Sequence, residues 1–215
     1  MRLIRPSFEI MEVMGNTDQY FKSPLQVIEK AGRVCYKSED KITDGSASKF
    51  VKARIGGHES VLEHSAMTVR FICDRGVTHE LVRHRLCAFS QESTRYCNYK
   101  GGVTFIIPPW FNLKEGEYTD SAYPGDERYW LSSLLIAESN YMNLLCCGQT
   151  PQQARTVLPN STKTEIIMTA NFREWRHIFK LRTANAAHPQ MQEIMRPLLT
   201  KCKEVIPVIF DDITF

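Results

Sequence analysis

The chain has 215 residues, of which 43% are hydrophobic and 24% are charged, and its formal net charge is +3. This composition is globular and excludes a disordered or collagen-like chain, while the length suits one domain or at most two small ones. The low net charge argues against a protein coated in nucleic acid. No segment approaches the roughly 20 apolar residues of a membrane span, and the N-terminus lacks the apolar stretch of a signal peptide.

The predicted elements alternate irregularly along the chain. Strands are predicted over residues 3–14, 67–73, 103–107 and 164–169, with a turn at residues 14–16 after the first. Helices are predicted over 24–36, 46–55, 77–86, 123–147, 151–155, 171–181 and 190–206. The longest helix has a predicted buried stripe of Trp130, Leu134, Tyr141 and Leu145. With no repeat or linker, this mixture predicts a single domain over 1–215 of α+β or irregular α/β class.

The cysteines indicate a reducing compartment. There are seven of them, an odd number, and no Cys-x-x-Cys pair occurs, which disfavours a disulfide framework or a zinc ribbon. We therefore expect a cytoplasmic protein whose thiols pack as small buried hydrophobic side chains. Cys87 and Cys97 lie in a basic segment that favours the thiolate, so they are candidates for reactive nucleophiles.

Basic residues concentrate in two segments of the chain. Residues 70–100 contain six Lys or Arg and three acidic residues. Residues 151–196 contain seven Lys or Arg and three acidic residues. Between these segments, residues 111–140 contain only two Lys or Arg and six acidic residues. This distribution favours a localised anion site, such as one for the phosphates of a small ligand, over a nucleic-acid surface.

The motif Thr78-His79-Glu80-Leu81-Val82-Arg83-His84 approaches the zinc-protease pattern His-Glu-x-x-His, but its histidines are five residues apart. On a helix they would lie about 140° apart, so no shared metal is predicted and no metal site is expected.

Arg83-His84-Arg85 brings two guanidinium groups and an imidazole together, and Ser93 follows after seven residues. The planar guanidinium suits phosphate, pyrophosphate or the carbonyl edge of a planar ring. A solvated basic helix end is the other interpretation that this motif leaves open. Ser93 has no neighbouring base and orienting acid, so it is a doubtful nucleophile.

A second group of candidates lies between residues 154 and 182. Arg155 falls between a short helix and a strand, where phosphate ligands often lie, while Arg173 and His177 share one helix face. Asn171 and Glu174 fit either a helix cap or a ligand site. Phe172, Trp175 and Phe179 share a helix face and are predicted to be core.

Several nucleotide motifs are absent from the sequence. It contains no Gly-x-Gly-x-x-Gly, no P-loop and no Gly-x-Ser-x-Gly elbow, so neither a dinucleotide-binding Rossmann unit nor a P-loop is indicated.

The motifs taken together resemble the flavin-dependent thymidylate synthases. The matching blocks appear in family order over roughly residues 30 to 195, and they are Glu63-His64, Arg83-His84-Arg85-x7-Ser93, Ala154-Arg155-x-Val-Leu-Pro159, Asn171-x-Arg173 and Leu181-Arg182 before His188. The resemblance implies that family's fold, with a central, mainly antiparallel or mixed sheet flanked by helices. It also implies synthesis of dTMP from dUMP, with methylenetetrahydrofolate as the methylene donor and NADPH supplying hydride through FAD.

The resemblance also implies a set of ligand contacts. FAD is expected at His64, the Ala66 backbone, Arg83, His84, Arg85, Gln91, Asn171, Arg173 and His177. The substrate dUMP is expected at Glu80, Arg83, Gln91, Glu92, Ser93, Thr94, Arg95, Arg155 and Arg182. A homotetramer with active sites at its subunit interfaces is implied as well, and it fits a short chain that has little room to enclose four ligands.

The implied chemistry agrees with the residues. Uracil C5 is a poor nucleophile unless negative charge develops along N3, C4 and O4, and a fixed guanidinium stabilises that charge. Arg182 is the candidate for this catalytic role, and no cysteine needs to attack C6. Two other classes stay open, namely a different FAD- and NADPH-using nucleotide enzyme and a nucleotide- or RNA-binding module.

Overall fold

The computed structural model describes residues 1–14 and 23–215, and within them it has seven strands and seven α-helices. The strands are β1 (Arg2–Ile4), β2 (Ser7–Val13), β3 (Ala66–Asp74), β4 (Ala88–Gln91), β5 (Thr104–Ile106), β6 (Gly116–Glu117) and β7 (Lys163–Asn171). The helices are α1 (Pro24–Val34), α2 (Ser46–Lys52), α3 (Arg75–Leu81), α4 (Glu127–Cys146), α5 (Pro151–Ala154), α6 (Phe172–Arg182) and α7 (Pro189–Val205). This mixture confirms the predicted α+β class. No helix in these two ranges is long and apolar enough to cross a membrane.

The strands form two sheets. In the smaller, with order β5-β1-β6, β1 pairs parallel with β5 and antiparallel with β6. The larger has the order β2-β3-β7-β4. Its backbone hydrogen bonds join Met14 to Ala66, Phe172 to Ser65 and Glu92 to Glu165. Each bond brings the end of one strand to the start of its neighbour, so these pairings are antiparallel.

The chain forms two compact units. Unit 1 comprises Met1–Ser7, Phe71–Arg83 and Ser90–Ile166, and unit 2 comprises Phe8–Arg70, His84–Phe89 and Ile167–Phe215. Unit 1 has a core built on Leu3, Phe105, Leu131, Leu134 and Tyr141.

Unit 2 buries one face of α6. Phe172, Trp175 and Phe179 are fully buried there, as predicted, and both phenylalanines pack edge-on against Phe210. The indole Nε1 of Trp175 also donates a 3.0 Å hydrogen bond to the carbonyl of Met67 in β3, so its polar atom is satisfied in the core.

Several predicted boundaries are wrong for local reasons. The strand expected over 3–14 is two strands, because Pro6 has no N–H for a ladder. The strands β4 and β6 are too short for their periodicity to be recognised. The turn expected at residues 14–16 lies mostly outside the described residues. In α4 the buried residues are Leu131, Leu134, Ala137 and Tyr141, so the stripe is rotated from the prediction, and Trp130 packs on Phe111 instead.

The helix expected over 77–86 ends at Leu81. Val82 and Leu86, which suggested an apolar continuation, are exposed, so burial gives no reason for another turn. The Arg83-His84-Arg85 motif therefore follows α3 instead of forming its last turn, and the helical angle used to separate His79 from His84 does not apply. His84 is buried while both flanking arginines are exposed.

Candidate active site

The predicted site residues fall into two sets, one in each unit. The unit 1 set is Glu80, Arg83, Gln91, Glu92, Ser93, Thr94, Arg95 and Arg155. The unit 2 set is His64, Ala66, His84, Arg85, Asn171, Arg173, His177 and Arg182. The first set contains all the predicted dUMP residues except Arg182. The second contains all the predicted FAD residues except Arg83 and Gln91.

In unit 1, hydrogen bonds hold the chain that follows β4. Gln91 Nε2 donates to Thr78 Oγ1 at 3.0 Å and to Thr164 Oγ1 at 3.3 Å. Thr94 is buried, and its hydroxyl accepts a 3.0 Å hydrogen bond from Arg155 Nη1. Arg155 lies in the 3₁₀ turn after α5. The structure thus joins two motifs that are 61 residues apart in the sequence.

Glu92 is held by two donors in unit 1. Its carboxylate accepts from the Tyr99 hydroxyl at 2.6 Å and from Lys163 Nζ at 3.0 Å, and Lys163 also donates to Glu165 at 2.6 Å. Burial, together with the hydrogen bond to Glu92, raises the pKa of Tyr99. Burial opposes the ammonium form of Lys163, but the two carboxylates outweigh it and raise the pKa of that lysine. Glu92 is therefore suited to hold this loop in place.

Ser93 lacks the partners of an activated nucleophile. Its hydroxyl accepts a 3.3 Å hydrogen bond from the backbone N–H of Arg95. Within residues 1–14 and 23–215, no histidine or carboxylate is hydrogen-bonded to it. Ser93 therefore stays a doubtful nucleophile.

In unit 2, several predicted site residues just before β3 and on α6 have exposed polar side chains. His64 ends a 3₁₀ helix (Glu59–His64) just before β3, and both His64 and His177 are exposed. Arg173 Nη1 contacts Glu63 Oε1 at 2.5 Å. That ion pair is exposed and hence easily screened by salt. Asn171 forms the predicted helix cap, since its Oδ1 accepts from the Glu174 N–H at 2.9 Å.

His84 contacts three side chains of unit 2 and is only 5% exposed. Its Nε2 accepts a 3.0 Å hydrogen bond from Arg182 Nε, and its Nδ1 lies 3.5 Å from Glu174 Oε1. Its ring packs edge-on against His177, with 5.9 Å between centroids. Burial, reinforced by the charges of Arg182 and His177, lowers the pKa of His84 to about 4. The imidazole is therefore neutral near pH 7.

His84, Glu174 and His177 are also the only three metal-type ligands that come together among the described residues. Their ligand atoms lie within 4.8 Å of one another, and His79 is not part of the group. Arg182 already donates to the ring of His84, and its positive charge disfavours a dication at the same imidazole. We therefore assign no metal here. The sequence left Glu174 open as part of a helix cap or of a ligand site, and the Glu-x-x-His spacing to His177 places both side chains on one face of α6.

All seven cysteines are free thiols. Cys73 and Cys202 are buried as expected, whereas the expectation of burial is wrong for Cys35, Cys146 and Cys147, which are exposed. Burial, with a contribution from the charge of Glu174, raises the pKa of Cys87 to about 12. This shift disfavours Cys87 as a thiolate nucleophile.

Comparison with known proteins agrees with the fold and the motifs. Residues 18–208 match the family model Thy1, described as thymidylate synthase complementing protein. The chain is 36% identical to a flavin-dependent thymidylate synthase of Corynebacterium efficiens, over 93% of this chain and 83% of that protein. It is 32% identical to a protein of the same name from Geobacter sulfurreducens, over 90% of this chain and 84% of that protein.

Two solved structures extend the comparison to the fold. A UMP/dUMP methylase, PolB from Streptomyces cacaoi bound with 5-Br dUMP, has a TM-score of 0.76 and 26% identity, covering 98% of this chain and 96% of that one. Thymidylate Synthase X from Helicobacter pylori, with FAD and dUMP, has a TM-score of 0.74 and 20% identity, covering 96% and 98%. At that identity the second likeness concerns the fold alone. The chain belongs to the flavin-dependent thymidylate synthase family.

Proposed function

We propose that this chain is a flavin-dependent thymidylate synthase, which methylates C5 of dUMP to give dTMP. Methylenetetrahydrofolate supplies the methylene group, and NADPH supplies the hydride through FAD. The observation that carries the proposal is the 36% identity, over 93% of the chain, to a synthase of that name. A different FAD- and NADPH-using nucleotide enzyme is not favoured by these relatives, and neither is an RNA-binding module.

Two exposed cations beside His84 suit a bound FAD. Arg83 and Arg85 flank buried His84 as exposed cations, and among the described residues neither has an ion-pair partner. Exposed guanidiniums of this kind suit the diphosphate of a dinucleotide. We assign FAD to His64, Ala66, Arg83, His84, Arg85, Gln91, Asn171, Arg173 and His177. When bound, the flavin supplies the hydride chemistry that protein side chains lack.

The unit 1 set, together with Arg182, is assigned to dUMP. Arg155 and Arg95 are cations suited to the nucleotide phosphate, and Arg155 is already held by Thr94. Glu80, Arg83 and Gln91 complete the polar contacts, along with the loop residues Glu92 and Ser93. Arg182 acts on the uracil edge, where its guanidinium stabilises the negative charge that makes C5 nucleophilic.

A second candidate substrate is UMP. PolB, whose fold this chain shares, is a UMP/dUMP methylase. UMP differs from dUMP only by its 2′-hydroxyl, so a site that leaves room beside the ribose would accept both. We propose dUMP as the principal substrate and UMP as the competitor to be measured.

We further propose that residues 1–215 act as a single synthase domain within a homotetramer, with active sites at the subunit interfaces, in the cytoplasm. The exposed Leu86 and Tyr96, at 76% and 78%, flank the motif residues and suit burial by another copy. Light scattering of the purified protein should give four times the mass of the chain. A monomeric yet active enzyme would contradict this assembly.

The activity test is tritium release from dUMP labelled at C5, with FAD, NADPH and methylenetetrahydrofolate. We expect a yellow protein that releases tritium from dUMP and forms dTMP, with UMP assayed in parallel. A yellow protein that oxidises NADPH but methylates neither nucleotide would contradict the proposal in favour of another flavin enzyme. A colourless protein with steeply salt-dependent RNA binding would favour the binding module.

A further inference from the structure

Glu174 approaches His84 of the unit 2 set, although the resemblance assigns it no ligand contact. Its side chain begins in the first turn of α6, where Asn171 fixes its backbone N–H. It is 8% exposed, and its Oε1 lies 3.5 Å from His84 Nδ1. A carboxylate this buried is unfavourable unless a donor or a cation faces it. The facing group is the ring of His84, with His177 one turn further along the helix.

The hydrogen bond from Arg182 shows which nitrogen of His84 carries the proton. A guanidinium Nε can only donate, so the 3.0 Å contact with His84 Nε2 requires a lone pair on that nitrogen. In the neutral ring the proton then resides on Nδ1, which faces Glu174. The other tautomer would set two N–H groups against each other at Arg182 and leave the carboxylate without a donor.

We propose that Glu174 is a positioning residue that acts through His84 to orient the Arg182 guanidinium for its role on the uracil edge. Glu174 selects the Nδ1–H tautomer of His84, and that tautomer offers Nε2 to Arg182. Arg182 makes this contact through Nε, the guanidinium nitrogen bonded to the aliphatic part of the side chain. The hydrogen bond therefore fixes the plane of the Arg182 guanidinium. The role of Arg182 on substrate rests on the proposed function. The contacts that join Glu174, His84 and Arg182 do not depend on it.

The surroundings make this arrangement rigid. Helix α6 carries both Glu174 and Arg182, and buried Trp175 and Phe179 anchor the same helix in the core of unit 2. His84 is itself buried and is neutral near pH 7, since its pKa is lowered to about 4 by burial and by the charges of Arg182 and His177. Orientation matters because a misplaced catalytic group lowers the rate far more than it weakens binding.

The first test reads the tautomer directly. Nitrogen NMR of the holoenzyme labelled with ¹⁵N-histidine distinguishes Nδ1–H from Nε2–H, and a His84→Asn variant assigns the His84 signals. We expect Nδ1–H in the wild type and in Glu174→Gln, because the glutamine amide still presents an acceptor oxygen to Nδ1–H. In Glu174→Ala we expect a shift toward Nε2–H. An Nε2–H tautomer in the wild type overturns the proposal.

The second test is kinetic, on the same variants. At saturating dUMP we expect kcat of Glu174→Ala to fall about tenfold, while Glu174→Gln stays within about threefold of the wild type. FAD content and the KM for NADPH should not change. The control is Glu59→Ala, which removes a 3.1 Å ion pair with Arg176 of the same helix. It should lower Tm without altering kcat per bound flavin or the His84 tautomer.

The two tests distinguish failure of the positioning role of Glu174 from failure of the proposed function. Equal losses in Glu174→Ala and Glu174→Gln, or no loss in Glu174→Ala, overturn the positioning role. A wild type with the Nδ1–H tautomer that methylates neither nucleotide contradicts the proposed function, and with it the purpose of the orientation. An active enzyme whose His84 carries its proton on Nε2 contradicts the role of Glu174 alone.

Discussion

The two sets of candidate residues differ in how many of their side chains are fixed before a ligand binds. In unit 1, hydrogen bonds to neighbouring side chains hold Gln91, Glu92, Thr94 and Arg155. In unit 2, His64, Arg85 and His177 are exposed, and only the group around His84 is buried and bonded. Ordering side chains before a ligand arrives reduces the entropy lost on binding. We infer a prepared site for a small nucleotide in unit 1 and a more adaptable surface for FAD in unit 2.

The largest effect is expected at Arg182, the one dUMP residue that lies in unit 2. Arg182→Ala should retain FAD but lose dTMP formation by about 10²-fold to 10³-fold, because it removes the cation that stabilises developing charge. Flavin absorbance and tritium release measure the two properties on one sample. Near-normal dTMP formation by this variant would contradict the catalytic role.

A smaller, binding-type effect is expected from Arg155 in the prepared unit 1 set. Arg155→Ala should raise the KM for dUMP by about 10-fold to 100-fold, with FAD content unchanged, because a charge-assisted contact to phosphate is lost.

Thr94→Val is the matched control for Arg155. It removes the hydroxyl that accepts from Arg155 and keeps the cation, so it should raise the KM for dUMP by only about threefold. Equal effects of the two variants would mean that Arg155 supports the loop and does not bind the phosphate.

The exposed pair Arg173 and Glu63 tests the adaptable character of unit 2. Arg173→Ala should weaken FAD binding, most strongly at low salt, and should leave Tm within about 2 °C, because exposed ion pairs contribute little to stability. Glu63→Ala removes the competing carboxylate and should keep or tighten FAD binding. If both variants weaken FAD binding equally, the pair has a structural role instead.

The buried histidine of unit 2 should make stability depend on pH. The pKa of His84 is lowered to about 4 in the folded protein, against an ordinary value of about 6.5 in the unfolded chain. As pH falls below 7 the unfolded state takes up the proton first, so the contribution of His84 to stability is complete above about pH 7 and lost toward pH 4.

Thermal unfolding across this pH range checks the prediction. The decline in Tm from pH 7 to pH 4.5 should be shallower in His84→Asn than in the wild type. The exposed His79 provides the control, since His79→Asn should follow the wild-type slope. Identical slopes in all three proteins would show that His84 does not contribute.

The smallest effects are expected from the cysteines. Cys87→Ala should retain most of the dTMP activity, because a thiol whose pKa is raised to about 12 is not a nucleophile at neutral pH. A thiol reagent should label the exposed Cys35, Cys146 and Cys147 first and the buried Cys73 and Cys202 last. Loss of activity in Cys87→Ala without loss of stability would reopen a covalent role.

Periodicity predicted the long elements because their burial follows a local pattern. The strand β3, the helices α1, α4, α6 and α7, and the aromatic core face of α6 all follow from residues that are close in sequence. Short elements were missed or misplaced, as with β4, or with α3, whose apparent apolar continuation at Leu86 is exposed to solvent. Exposure depends on what packs nearby, and a local pattern does not contain that information.

The sequence by itself determined the family of this protein, because several motifs with specific chemistry occur in a fixed order and spacing. It also indicated residue types that suit phosphate and flavin. Only the tertiary structure decided that His84 is buried between Glu174 and Arg182, the latter 98 residues away along the chain. Burial and a hydrogen-bond partner together set the proton position and the pKa of an imidazole, and both come from segments brought together by folding.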